Sequence, residues 1–220
     1  MKLLAEQNTN AKLRKNAKHS DKIRTYIMYM KPDRSVCPMS VLAQCEAGCL
    51  NTAGRGAMNT VQTARQRKLD YWLDDPSGFL EQLRAELTRI NVTCYKRNLT
   101  PAVRLNGTSD IAWENYGIPQ DFPDIQFYDY TKLPTRKVPD NYHLTASYSG
   151  ANMKYAEKVK RSAHNIAVVF RKDLPMMYLD REVIDGDDHD MRFLDKRNVV
   201  VGLRAKGKAI RDTTGFVIDL

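Results

Sequence analysis

Three of the chain's four cysteines, Cys37, Cys45 and Cys49, fall within thirteen positions of the stretch VCPMSVLAQCEAGCLNTAGRG, residues 36–56. The spacing is C-x7-C-x3-C, and Pro38, Ala47 and Gly48 give the stretch the small and turn-forming residues it needs to fold back on itself. Thiolates are soft ligands suited to zinc or to iron–sulfur clusters. Four cysteines in 220 residues do not make a disulfide scaffold, which belongs to small secreted domains. In an intracellular chain such a cluster points to metal binding or catalysis.

The elements around the cysteines set where they can act. IRTYIMYM, Ile23 to Met30, mixes β-branched and aromatic residues and predicts a strand ended by Pro32. The cysteine stretch follows as a loop, and GRG, Gly54 to Gly56, opens a helix carrying Ala57, Val61, Ala64 and Trp72 at helical spacing. Asp75-Pro76 starts a second helix, with Leu80, Leu83, Leu87 and Ile90 along its buried face. Six further apolar runs follow, in PAVRLNGTSD, DIQFYDYTK, NYHLTASYSG, NIAVVFRKD, EVIDGDDHD and NVVVGLRAKG, each ending in polar residues. Only Asn152 to Ala163 reads as a helix among them. Runs without alternation predict strands covered on both faces, as in parallel sheets. Polar residues at the strands' C-terminal ends are where such sheets place their sites. The expected fold is α/β: a partial or degenerate (β/α) barrel of about six to seven mainly parallel strands, with the cysteine-rich loop after the first strand. Residues 1–22 are expected as a basic N-terminal arm and 23–220 as a single barrel-like domain.

The topology separates the fourth cysteine from the other three. A loop after a strand lies at the sheet's C-terminal end, whereas Cys94 follows a helix and precedes a strand, at the opposite end. A strand of about six residues spans on the order of 20 Å, too far for one metal. Three protein ligands then leave an open coordination position, the mark of a reactive centre. Zinc with His143 or His189 as fourth ligand is the alternative. DGDDHD lacks the spacing and final glutamate of a calcium loop, and NTAGRG lacks the Gly-Lys-Ser/Thr of a phosphate loop. The amides of NTAGRG at a helix start could still receive an anion or cluster sulfurs.

Three cysteines in a loop after the first strand of an α/β barrel resemble the radical S-adenosylmethionine superfamily, although that superfamily's usual spacing is C-x3-C-x2-C. The resemblance implies a 4Fe-4S cluster on Cys37, Cys45 and Cys49 whose fourth iron takes S-adenosylmethionine. Across nearly the whole chain, CLNTAGRG, PAVRLNGTSDIAWE, FYDYTK, NYHLTASYSG and VIDGDDHDMRFLD are similar to the phage family known as gene product 88. That resemblance implies a bacteriophage origin and the host cytoplasm, with no assigned reaction. A cofactor with an amino group, a ribose and a carboxylate needs acceptors and a cation. Asn106, Asp110, Asp129, Lys132 and Ser147 are the candidates at the strand ends. Gly107 marks a place where backbone could approach a ligand closely.

The formal charge of +9, from 35 Lys and Arg against 26 Asp and Glu, suits an anionic partner such as nucleic acid or a nucleotide. AKLRKNAKHSDKIR and ARQRK carry much of it. No apolar run approaches the roughly 20 residues of a membrane span, so no membrane partner is expected. The competing function is a non-enzymatic factor that binds nucleic acid or a host protein and keeps a structural zinc or iron–sulfur site.

Overall fold

The computed structural model describes residues 1–10 and 13–220. Ala11 and Lys12 of the basic N-terminal segment lie outside the described residues. The strands, in chain order, are β1 (Leu4–Glu6), β2 (Ile23–Met28), β3 (Thr100–Arg104), β4 (Gln126–Thr131), β5 (Tyr142–Ser147), β6 (Asn165–Phe170), β7 (Met177–Tyr178), β8 (Arg181–Asp185), β9 (Val200–Arg204) and β10 (Val217–Ile218). They form one sheet in the order β1-β2-β3-β4-β5-β6-β9-β8-β7, with β10 parallel to β6 beyond the end of β5. All pairings are parallel except β1 with β2 and β7 with β8. β1 and β7 end the strand order without pairing to each other, so the sheet is open, and the expected partial or degenerate barrel is replaced by an open, mostly parallel sheet.

All seven predicted strands are present, as β2, β3, β4, β5, β6, β8 and β9. The short strands β1, β7 and β10 carry too few residues to leave a sequence pattern. Within the segment expected as a basic arm, β1 pairs with β2, and Leu3, Leu4 and Leu13 are fully or almost fully buried. The cysteine stretch therefore follows the second strand, which is the first of the parallel set.

Two helices, α1 (Asn59–Asp74) and α2 (Pro76–Lys96), connect β2 to β3 and cover one face of that half of the sheet. Asp75 caps α2, its side chain accepting from Gly78 N at 2.9 Å, with Pro76 in the first turn as the sequence predicts. Phe79, Leu83 and Leu87 of α2 are fully buried against Tyr26, Val103, Phe127 and Tyr142, which parallel register places on one face. Beyond the short helix α3 (Ile118–Asp121), α4 (Met153–Lys160) covers the same face of β5, β6 and β9 through Tyr155, Ala156 and Val159.

The opposite face carries Ile27, Arg104, Tyr128, Tyr130, His143 and Thr145, and two irregular segments cover it. One is Leu13–Lys18. The other is Asp190–Asp195, where Arg104 Nη1 meets both Asp190 oxygens at 3.0 Å and Phe193 packs on Tyr128. Arg192 is fully buried there, 3.3 Å from Asp195 and bonded to His189 O. Both faces are thus covered, as the unalternating runs predict, although only one of them by helices.

Glu86 joins the N-terminus to α2, accepting from Leu3 N at 2.8 Å and Leu4 N at 3.0 Å in a buried setting. Glu86→Ala strands both amides, and at about 1–3 kcal/mol for each buried unpaired donor it should cost roughly 3 kcal/mol in a denaturant titration. Glu86→Gln should cost clearly less. His143 Nε2 is buried with no hydrogen-bond partner among the described residues, and burial pulls the imidazole down to about 4, with His164 and Arg192 pushing the same way. The unfolded chain protonates near 6.5, so this contribution to stability is whole above that pH and is lost as pH falls towards 4. His143→Gln should flatten that acid-side loss, seen as a smaller drop in denaturation midpoint between pH 7 and pH 5.

Candidate functional site

A cavity of about 1180 Å³ opens at the C-terminal ends of the parallel strands. Cys37, Cys45 and Cys49 all line it, from the irregular chain that follows β2. Cys94 does not: it sits at the end of α2, its sulfur 3.8 Å from the Tyr26 hydroxyl under the helix layer.

Each part of the cysteine loop is held from a different element. Asp110 N, after β3, donates to Val36 O at 2.7 Å beside Cys37. Ser149 Oγ, after β5, donates to Ala43 O at 2.7 Å, and Cys45 N returns to Ser40 O. At Gly48 a Cβ would stand 3.1 Å from the Phe216 ring, so the loop lies tight on the C-terminal segment. The turn after Cys49 is fastened to α1, where Gln62 Nε2 donates to the Asn51 and Gly56 carbonyls and Arg65 donates to the Asn51 side chain.

Lys132, just past β4, is the cation that acts on Cys37 and Cys45. Burial alone would lower it, but Cys45, Cys37 and Asp110 outweigh burial and hold it as a cation above its ordinary range. Burial pushes the Cys37 thiol up to about 11 and raises Cys45 as well, with Lys132 offsetting only part of this. Burial therefore favours the protonated form of Cys37 and Cys45, and Lys132 is the cation that opposes it. Loss of the thiol protons would bring anions up to a cation already in place.

The five residues expected at the strand ends divide. Lys132 and Ser147 line the cavity, and no hydrogen bond engages the Lys132 ammonium or the Ser147 hydroxyl among the described residues. Asn106 also lines it, but its side chain is engaged within the protein. Its Nδ2 donates to Ile111 O and Asp129, and its Oδ1 accepts from Ser109 Oγ, Ile111 N and Trp113 Nε1. Asp129 pairs in register with Leu144 on the helix-covered face and does not line the cavity. Burial raises its carboxyl to about 7, opposed by Arg104 and by hydrogen bonds from Tyr142 and Asn106 N. Asp110 accepts from Lys132 N at 2.7 Å and lies 3.4 Å from Arg136. Gly107 approaches the protein's own chain: a Cβ there would lie 2.5 Å from Met28 O.

Of the histidines considered as zinc ligands, His143 is half-buried on the face of β5 opposite the helices and does not line the cavity. His189 does, with Nδ1 accepting from Met191 N at 3.2 Å. Among the described residues no three His, Cys, Asp or Glu converge so as to hold one metal ion, as a tetrahedral zinc site requires. Sequence reasoning missed Tyr29, Asn51 and Arg65, which all line the cavity. For Arg65 a signal existed in its i+4 spacing from Val61 on α1.

A family model described as gene product 88 matches residues 2–220. The chain belongs to that family. No curated protein and no solved structure matches it. No helix among the described residues is long and apolar enough to cross a membrane.

The cysteine environments order their reactivity. In reduced, chelator-treated protein, half-buried Cys49 should be alkylated first, Cys45 and Cys37 more slowly and Cys94, 1% exposed, last. Peptide mass spectrometry of a timed iodoacetamide reaction reads this order directly.

Proposed function

We propose that this member of the gene product 88 family is an iron–sulfur protein of radical S-adenosylmethionine type. Cys37, Cys45 and Cys49 would hold a 4Fe-4S cluster, with one iron left for the cofactor. The observation that carries the reading is that three thiols from one loop line a single large cavity at the C-terminal ends of parallel strands, while the fourth cysteine is elsewhere.

The donor set suits a cluster better than a lone ion. A cuboidal cluster takes each thiolate at a different iron, so the sulfurs need not meet at one point as they must around zinc. Lys132 supports an anionic centre by offsetting thiolate charge where water is scarce. Lys132 and Ser147 are the strand-end groups whose polar atoms remain available to a cofactor, a cation for a carboxylate and a hydroxyl for a neutral polar group. Asn106 and Asp129 act one layer back, shaping the chain after β3. The cluster, when bound, would supply an electron to S-adenosylmethionine, and the protein's own part is to orient both and exclude water.

The test is metal and sulfide content after strictly anaerobic purification, with electron paramagnetic resonance of the reduced protein with and without S-adenosylmethionine. The expected result is about four irons and matching sulfide per chain, a spectrum perturbed by the cofactor, and loss of both in Cys45→Ser. Zinc alone, or no metal, would overturn the reading.

A further inference from the structure

The charges around the cavity do not balance. Among the described residues nine lysines and arginines line it against four aspartates and glutamates. On the β8–β9 side the charges are paired: Arg204 and Lys206 meet Asp187, and Arg104 meets Asp190. On the α1 side they are not. Lys31, Arg55, Arg65 and Lys68 have no carboxylate at ion-pair distance among the described residues, and the hydrogen bonds their side chains make go to neutral oxygens. Lys31 Nζ donates to Gln66 Oε1 at 2.6 Å and Lys68 Nζ to Leu3 O at 2.7 Å. Arg65 reaches only Asn51, stacks on the Tyr29 ring at 4.6 Å and is 8% exposed, with its Nε buried and unbonded. Burying cations without an anion is costly, and burial pulls Lys68 down to about 8, with neighbouring Arg65 adding to the pull against Glu86.

The start of α1 adds to this. Thr60 in its first turn lines the cavity, no side chain caps the helix, and no acidic residue lies in that turn. The helix therefore presents unpaired amides and the positive end of its dipole beside the unpaired cations.

We propose that the α1 side of the cavity, formed by Lys31, Arg55, Arg65, Lys68 and the first turn of α1, binds the phosphate groups of the substrate, which is a nucleotide or a nucleic-acid strand. Phosphate answers each feature there: it carries charge enough for several cations and accepts from arginine forks and helix amides together. Lys132, the cation that acts on Cys37 and Cys45, is not one of these groups. The inference takes from the proposed function only that this cavity is the working site. Its test reads binding rather than turnover, so a protein that lacks a cluster and still binds phosphate keeps this inference and loses the other.

The probe is a 5′-fluorescein single-stranded 12-mer followed by anisotropy from 50 to 300 mM salt, with a nucleoside triphosphate and inorganic phosphate as competitors. Lys31→Ala/Arg55→Ala removes two groups that no core contact needs. It should weaken binding roughly tenfold and reduce the slope of log affinity against log salt by about two. Arg67→Ala/Arg89→Ala removes the same charge from exposed positions outside the cavity and should bind like the parent. Displacement by the triphosphate at micromolar concentration assigns a nucleotide substrate, and displacement only by unlabelled oligomer assigns a strand. Equal loss in both double variants, no loss in either, or no binding of any probe by the parent overturns the proposal.

Discussion

The geometry of the cavity rests on one buried carboxylate. Asp129 lies fully buried on the helix-covered face, accepting from Asn106 N, Asn106 Nδ2 and the Tyr142 hydroxyl at 2.8, 3.2 and 2.7 Å. Those bonds fix Asn106, whose carboxamide then gathers Ser109, Ile111 and Trp113 around itself. The turn they build carries Asp110, which bonds forward to Lys132 N and, through its own amide, to Val36 in the cysteine stretch. A charge on one face of β4 thus positions the cation and the first thiol on the far side of the strand ends. Every donor on Asp129 favours its ionised form while burial opposes it, so the network stays whole only if all three donors remain in place.

A second constraint shapes the floor. An open parallel sheet must still cover both faces, and here the face opposite the helices carries Arg104 and several tyrosines rather than a smooth apolar layer. Asp190 and Arg192 come in over that face on the return from β8. Arg104 Nη1 reaches both Asp190 oxygens at 3.0 Å, a charge-assisted contact that ties the crossing chain to β3. Buried pairs of this kind add little net stability but penalise alternative packings, because either partner alone would be a stranded charge. The consequence for the cavity is a floor whose charges are already matched, which leaves the unmatched ones on α1.

What the sequence discloses follows from how local each signal is. The seven long strands and the helices α1 and α2 declare themselves through runs and periods of their own. Cys94 separates from the other cysteines by topology alone. The fate of Asn106 and Asp129 was not legible, because Asp129 differs from a cavity residue only by strand parity and parity needs the register with β5. The strand at Leu4–Glu6 hides for a related reason: three residues carry no period, and only the buried Glu86 opposite reveals why the chain docks there. A run of about seven parallel strands suits a partial barrel and an open sheet alike, and strand number does not decide between them; here the edge strands β1 and β7 do not meet.

The two walls of the cavity are not independent. The cysteine stretch runs straight into α1, and the turn after Cys49 is held by Arg65 and Gln62 of that helix. Arg65 therefore has two roles along one side chain: a fork fixed on Asn51 behind the third thiol, and a charge presented to the cavity. Both walls are thus reached through the short link between Cys49 and Asn51. The wide C-x7-C-x3-C spacing fits this arrangement. A tighter motif would close the thiols on themselves, whereas this one reaches past Cys45 to be anchored by β5, by the C-terminal segment at Phe216 and finally by α1.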